Sequence, residues 1–149
     1  MKRKRGAMAG FLAAVFLWTA AFSCSGSAVH KATLASRDFR LALQAFQDGE
    51  IAWHDSGKVP DDTHRAIQSY IVDAANITKQ VNAQLGAGNA ASATQLVSQL
   101  LTSTDVLLND GALHIKDKTT LASFEAGIQG IKTVITNVQI YLGGVTNAS

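Results

Sequence analysis

The stretch LASFEAGIQGIKTVITNVQIYL, Leu121 to Leu142, decides the fold. Leu121, Phe124, Ile128, Ile131, Ile135, Val138 and Leu142 advance by three and four residues in alternation. That spacing keeps one apolar stripe on one face of an α-helix. Such a helix is unstable alone in water and needs partner helices over its stripe.

Three earlier segments supply candidates. The first is expected from near Val29 to about His54, with Ala32, Phe39, Leu43, Phe46 and Trp53 on one face and Leu34 and Leu41 beside it. Arg37, Asp38, Arg40, Gln44 and Gln47 fall mostly away from that face. Gly49 costs about 1 kcal/mol relative to alanine inside a helix. The helix is nonetheless expected to run through it, because Ile51 and Trp53 would otherwise have nothing to pack on. Asp55 to Pro60 reads as a turn, with Pro60 at the first helical position and Asp61 and Asp62 placing negative charge at a helix N-terminus.

The second helix is expected to reach about Leu85, with Ile67, Ile71, Ala74, Ile77, Val81 and Leu85 inward and Gly86-Ala87-Gly88 as its stop. Asn89 is the expected N-cap of the third, whose stripe is Ala93, Leu96, Val97, Leu100, Leu101, Leu107 and Leu108. Asp110-Gly111 is its expected end. Leu113 and Ile115 alternate with His114 and Lys116, which reads as an extended connection. Asp117 is the expected cap of the fourth helix, and Gly143-Gly144 its end. Helices of about 20–26 residues span roughly 30–39 Å. Joined by short turns, they predict an all-α, antiparallel up-down-up-down four-helix bundle over residues 29–142, with 143–149 as a flexible tail.

The N-terminal residues are of another kind. Lys2, Arg3, Lys4 and Arg5 form a basic head, Ala7 to Phe22 is uncharged and nearly all apolar, and small residues fill Ser23 to Ala28. That order is the order of a secretory signal, here 1–23, followed by a short tether, 24–28. The apolar run is shorter than the ~20 residues that span a bilayer comfortably; an uncleaved anchor requires the span to extend through Ser23–Ala28. The only cysteine, Cys24, stands at the end of the run. Ala20-Ala21-Phe22-Ser23-Cys24 resembles the lipobox of bacterial lipoproteins, with Ser23 as the small residue before the cysteine and Ala21 where leucine is usual. The resemblance covers the signal segment alone. It implies acylation of Cys24, which would become the mature N-terminus and attach the protein to a membrane in the cell envelope, facing the periplasm or the cell surface. The alternatives are an ordinary cleavage site near Cys24 and a soluble periplasmic or secreted domain. A partnerless cysteine leaves no internal disulfide framework.

The formal charge of +2 changes sign with the signal. Four of the 13 basic residues and none of the 11 acidic ones lie in the basic head, which leaves nine against eleven, a net of −2. A weakly acidic domain without a basic patch argues against nucleic acid as a partner. Asn76-Ile77-Thr78 and Asn147-Ala148-Ser149 match the glycosylation pattern, read here as chance matches in a helix and at a chain end.

Cofactor motifs are missing. Carboxylate-bridged di-iron bundles need Glu-x-x-His on two helices, whereas Glu50 and Glu125, the only glutamates, have no histidine at that spacing. There is no Cys-x-x-Cys-His, no His-Glu-x-x-His, no phosphate-binding glycine loop and no Gly-x-Ser-x-Gly. No acid–base pair is brought together by spacing alone, so no catalytic residue, cofactor or metal is expected. The topology does place His54, Asp55, Asp61, Asp62 and His64 at the same end as Asp110, His114 and Asp117, with His30 at the other. His54, His64 and His114 are of the type that binds zinc or copper, but lie on turns, so the expectation is an end that contacts a protein partner. Trp53, Tyr70 and Tyr141 are expected in or at the edge of the core, the tyrosines with solvated hydroxyls. The expected role is structural or adaptor-like and non-catalytic, with a periplasmic ligand- or metal-binding bundle as the alternative.

Overall fold

The computed structural model describes residues 27–146. The expected signal segment, Cys24 and residues 147–149 lie outside the described residues, as does the side chain of Leu113. Four helices follow one another: α1 (Ala28–Asp55), α2 (Asp61–Gly86), α3 (Ala90–His114) and α4 (Lys118–Thr146). Each packs on its neighbours in sequence, and α1 packs on α4, which closes the ring of a four-helix bundle. Contacts across α3 and α4 fix the antiparallel sense. Lys132 Nζ lies 2.6 Å from Asp105 Oδ1, and Gln139 Nε2 donates to Ser98 Oγ at 3.4 Å, so residue numbers rise on one helix as they fall on the other.

The apolar stripes meet at the centre. Phe124, Ile128, Ile131, Ile135, Val138 and Leu142 of α4 are all buried, opposite Ala32, Phe39, Leu43, Phe46 and Trp53 of α1. Burying each large apolar side chain contributes about 1.5–3 kcal/mol. Phe46 organises one end: its ring stands edge-on to Trp53 at 6.3 Å and tilted against Phe124 at 5.9 Å. A Cβ on Gly127 would lie 2.8 Å from Phe46 Cδ2, so the absence of a side chain there lets α1 and α4 come together.

Several expectations are corrected. Helix α3 does not end at Asp110-Gly111 but continues to His114, which shortens the expected extended connection to 115–117, where Ile115 is extended. Gly111 is buried on the stripe of α3 against the ring of Phe124, where a Cβ would collide. It is a packing glycine and not a stop signal. Ile115 is buried as expected. Helix α4 runs through Gly143 to Thr146. Pro60 occupies the N-cap, not the first helical position, and its carbonyl accepts from His64 N–H. Asn89 stands at the N-cap of α3 as expected, but its side chain makes no capping bond and its amide donates back to Gln84. Leu41 and Ile51 are exposed, so α1 runs through Gly49 on the packing of Trp53 and not of Ile51. The turn after α2 takes its reversal at Gly88, at φ +77°. Ser27 caps α1 and Asp117 caps α4. No described helix is long and apolar enough to cross a membrane.

Candidate functional site

The end of the bundle opposite the N-terminus of α1 carries the polar groups, and the packing divides them into two sets. The first lies between α1 and α2. Glu50 falls at a stripe position of α1, between Phe46 and Trp53, and is fully buried. A buried carboxylate needs partners, because unpaired burial is costly. Two are supplied by α2: His64 Nδ1 donates to Glu50 Oε1 at 2.7 Å and Gln68 Nε2 donates to Oε2 at 2.6 Å. Gln47 Nε2 in turn donates to Gln68 Oε1 at 2.9 Å. The donors converge on one carboxylate and tie α1 to α2.

His54 and His64 come together as parallel rings, 3.9 Å between centroids and 17° between planes. Both lie within helices and not on the turn, His54 in the last turn of α1 and His64 in the first turn of α2. His54 Nε2 donates to Asp61 Oδ1 at 2.9 Å, and this hydrogen bond holds the Asp61 carboxyl below its ordinary pKa. Each imidazole is thus oriented by its own carboxylate, the arrangement that fixes a histidine tautomer. The stacked rings and their two carboxylates join the last turn of α1 to the first turn of α2, a clasp at the α1–α2 corner. Spacing did not disclose the Glu50–His64 acid–base pair. The readable signal was a charged residue on an otherwise apolar stripe.

The second set lies on the α2–α3 side. His114 does not join the other histidines. Its Nδ1 donates to the carbonyl of Asp110 at 2.8 Å, and it lines a groove with Asp62 and Asp110. Among the described residues no group of three or more His, Cys, Asp or Glu side chains is placed to hold a metal ion. Asp117 belongs to the α3–α4 turn, where the hydroxyl and the backbone N–H of Thr120 donate to it and lower its pKa; Lys58 lies 3.9 Å away.

The groove between α2 and α3 has a volume of about 600 Å³, within the range of small-molecule sites. Ala66, Ala74, Ile77, Leu100, Val106 and Leu107 supply its apolar lining, and Asp62, Asp73, Asp110 and His114 are its ionisable groups. Tyr70 also lines it. Its hydroxyl is not solvated as expected but buried against Thr104 Oγ1 at 2.7 Å. Burial pushes the phenol up to about 12, against the opposing effect of its hydrogen bond with Thr104. Thr104 was missed in the sequence although it occupies a stripe position between Leu100 and Leu107.

The chain matches no protein-family model, no curated protein and no solved structure at a significant level.

Proposed function

We propose that this is a non-catalytic lipoprotein of the bacterial envelope, in which a lipid on Cys24 holds a four-helix bundle at a membrane and the far end of the bundle meets a partner. The observation that carries this is the position of Cys24. It closes a signal-like run and stands three residues before Ser27, the residue that caps α1. Such a tether would hold the bundle close to the bilayer. The 28 residues of α1 would then put the Glu50 and histidine corner about 40 Å further out. Several acyl chains anchor a protein firmly, whereas one gives marginal binding.

Fractionation of the expressing cells and intact-mass spectrometry test the reading. The mature chain is expected in the membrane fraction, beginning at an acylated Cys24, and Cys24→Ala is expected to block its processing or release it. An unmodified mature N-terminus would overturn the lipid anchor. Retention of residues 1–23 would replace it with an uncleaved one.

A second reading, a ligand-binding bundle, is favoured by the α2–α3 groove. Its surface is mostly apolar, with polar side chains set around it, as in a small-molecule site.

A further inference from the structure

The α2–α3 groove is lined by carboxylates with no lysine or arginine to balance them. They are those of Asp62, Asp73 and Asp110. Asp73 and Asp110 have no ion-pair partner among the described residues. Two of the groove's hydroxyls, on α3, are already committed as donors. Thr102 Oγ1 donates to the carbonyl of Ser98 and Ser103 Oγ to that of Gln99, both at 3.1 Å, which leaves their lone pairs outward. His114 uses its Nδ1 proton on the carbonyl of Asp110. A ligand satisfying such a wall must bring the donors, and beside carboxylates a cationic donor is favoured.

The spacing adds shape. The Tyr70–Thr104 bond sets the register of α2 on α3, and it puts Asp110 opposite the first turn of α2, near Asp62. Asp73 lies eleven residues beyond Asp62 on α2, about 16 Å along the helix axis. Between these acidic ends the groove is floored by Ala66, Ala74 and Leu107, with Val106, 54% exposed, on its wall. Charge at both ends and apolar surface between them fit a slender chain with amines separated by methylenes.

We infer that the α2–α3 groove binds a linear aliphatic polyamine, one ammonium held at Asp62 and Asp110 and another at Asp73. The inference rests on the ligand-binding reading and is independent of how the chain is anchored. The test is calorimetric titration of the full chain, held in phosphatidylcholine nanodiscs, with spermidine; 1,8-octanediol, a neutral linear chain of the same length, is the comparison. Saturable binding of one spermidine per chain is expected, weakening as salt is added. Asp73→Asn and Asp110→Asn, both at exposed positions, should each weaken it about tenfold, the scale of one charge-assisted hydrogen bond. Ser103→Trp should block the groove without removing a charge, with circular dichroism confirming the fold of all three variants. No heat beyond that of empty nanodiscs, or an affinity indifferent to both aspartate variants, would overturn the inference. Octanediol binding as tightly as spermidine would also overturn it while leaving a ligand-binding groove in place.

Discussion

Glu50 shows how one residue can be both a flaw in a pattern and a structural centre. It lies on the stripe shared by Phe39, Leu43, Phe46 and Trp53, fully buried, and takes hydrogen bonds from His64 and Gln68. Removing one side of a buried, hydrogen-bonded pair costs about 3–5 kcal/mol, because the partners stay desolvated. Glu50→Ala is therefore expected to lose that much in urea denaturation, and Glu50→Gln less, since the amide keeps an acceptor for Gln68. A loss below about 1 kcal/mol for Glu50→Ala, the level of an exposed pair, would contradict the clasp. Asp117 makes a prediction in pH. Its folded pKa is depressed by the hydroxyl and N–H of Thr120. The folded chain therefore binds that proton less readily than the unfolded chain, whose carboxylate titrates near about 3.9. The stabilisation is complete above that value and lost as pH falls through the depressed one. Thermal melts should show Asp117→Ala less stable than the parent near neutral pH, with the gap narrowing in strong acid; a gap independent of pH would refute the assignment. The Glu50 position was legible as a charge on a stripe, but its partners were not. Pairing across helices depends on how α1 and α2 are rotated about their axes, which a single-helix period does not encode.

At the scale of the element, glycine was the hardest residue to read. Gly88 stops α2 as its neighbours suggested, with a positive φ. Gly111 and Gly127 have the same side chain and the opposite role, since each sits inside a helix where an aromatic ring comes too close for a Cβ. Sequence alone separates the two uses poorly, because the deciding atom belongs to another helix: Phe124 for Gly111, Phe46 for Gly127. Mid-helix glycine to alanine ordinarily stabilises by about 1 kcal/mol. Gly127→Ala is expected to do the reverse and cost about 1–3 kcal/mol by overpacking, because its Cβ would meet Phe46 at 2.8 Å. Gly143→Ala, with nothing within 4 Å of its Cβ, should stabilise or be neutral. Adding Phe46→Leu should make the Gly127→Ala loss smaller than the two single losses combined, a coupling expected of residues in contact. Full additivity in a double-mutant cycle would show that the close approach of α1 and α4 at Gly127 is misread.

At the scale of the whole molecule, the four stripes were legible because each must bury a face, and burial leaves a period in the sequence. The division of the far end into a histidine clasp and an acidic groove was not, since topology brings residues to one end without saying which pair of helices they face. One core surrounded by four helices should unfold as one unit. With Trp18 replaced by phenylalanine, the one tryptophan left is Trp53, buried at the clasp end. Its fluorescence and the far-UV helical signal therefore report one end and the whole, and their unfolding midpoints should coincide. Ile131 on α4 is 1% exposed, and Ile131→Asp would bury a carboxylate in the core. It should move both midpoints together by several kcal/mol, the large loss that a buried unpaired charge produces. Lys132, the next residue, is half-buried and ion-paired with Asp105 at 2.6 Å. Lys132→Asp removes that pair and sets two carboxylates face to face near solvent, a loss of about 1 kcal/mol. Equal losses at the two positions would mean that the stripe of α4 faces elsewhere. Separate midpoints for Trp53 and the helical signal would mean that the α1–α2 corner opens on its own, and that the clasp is a local lock on an otherwise independent core.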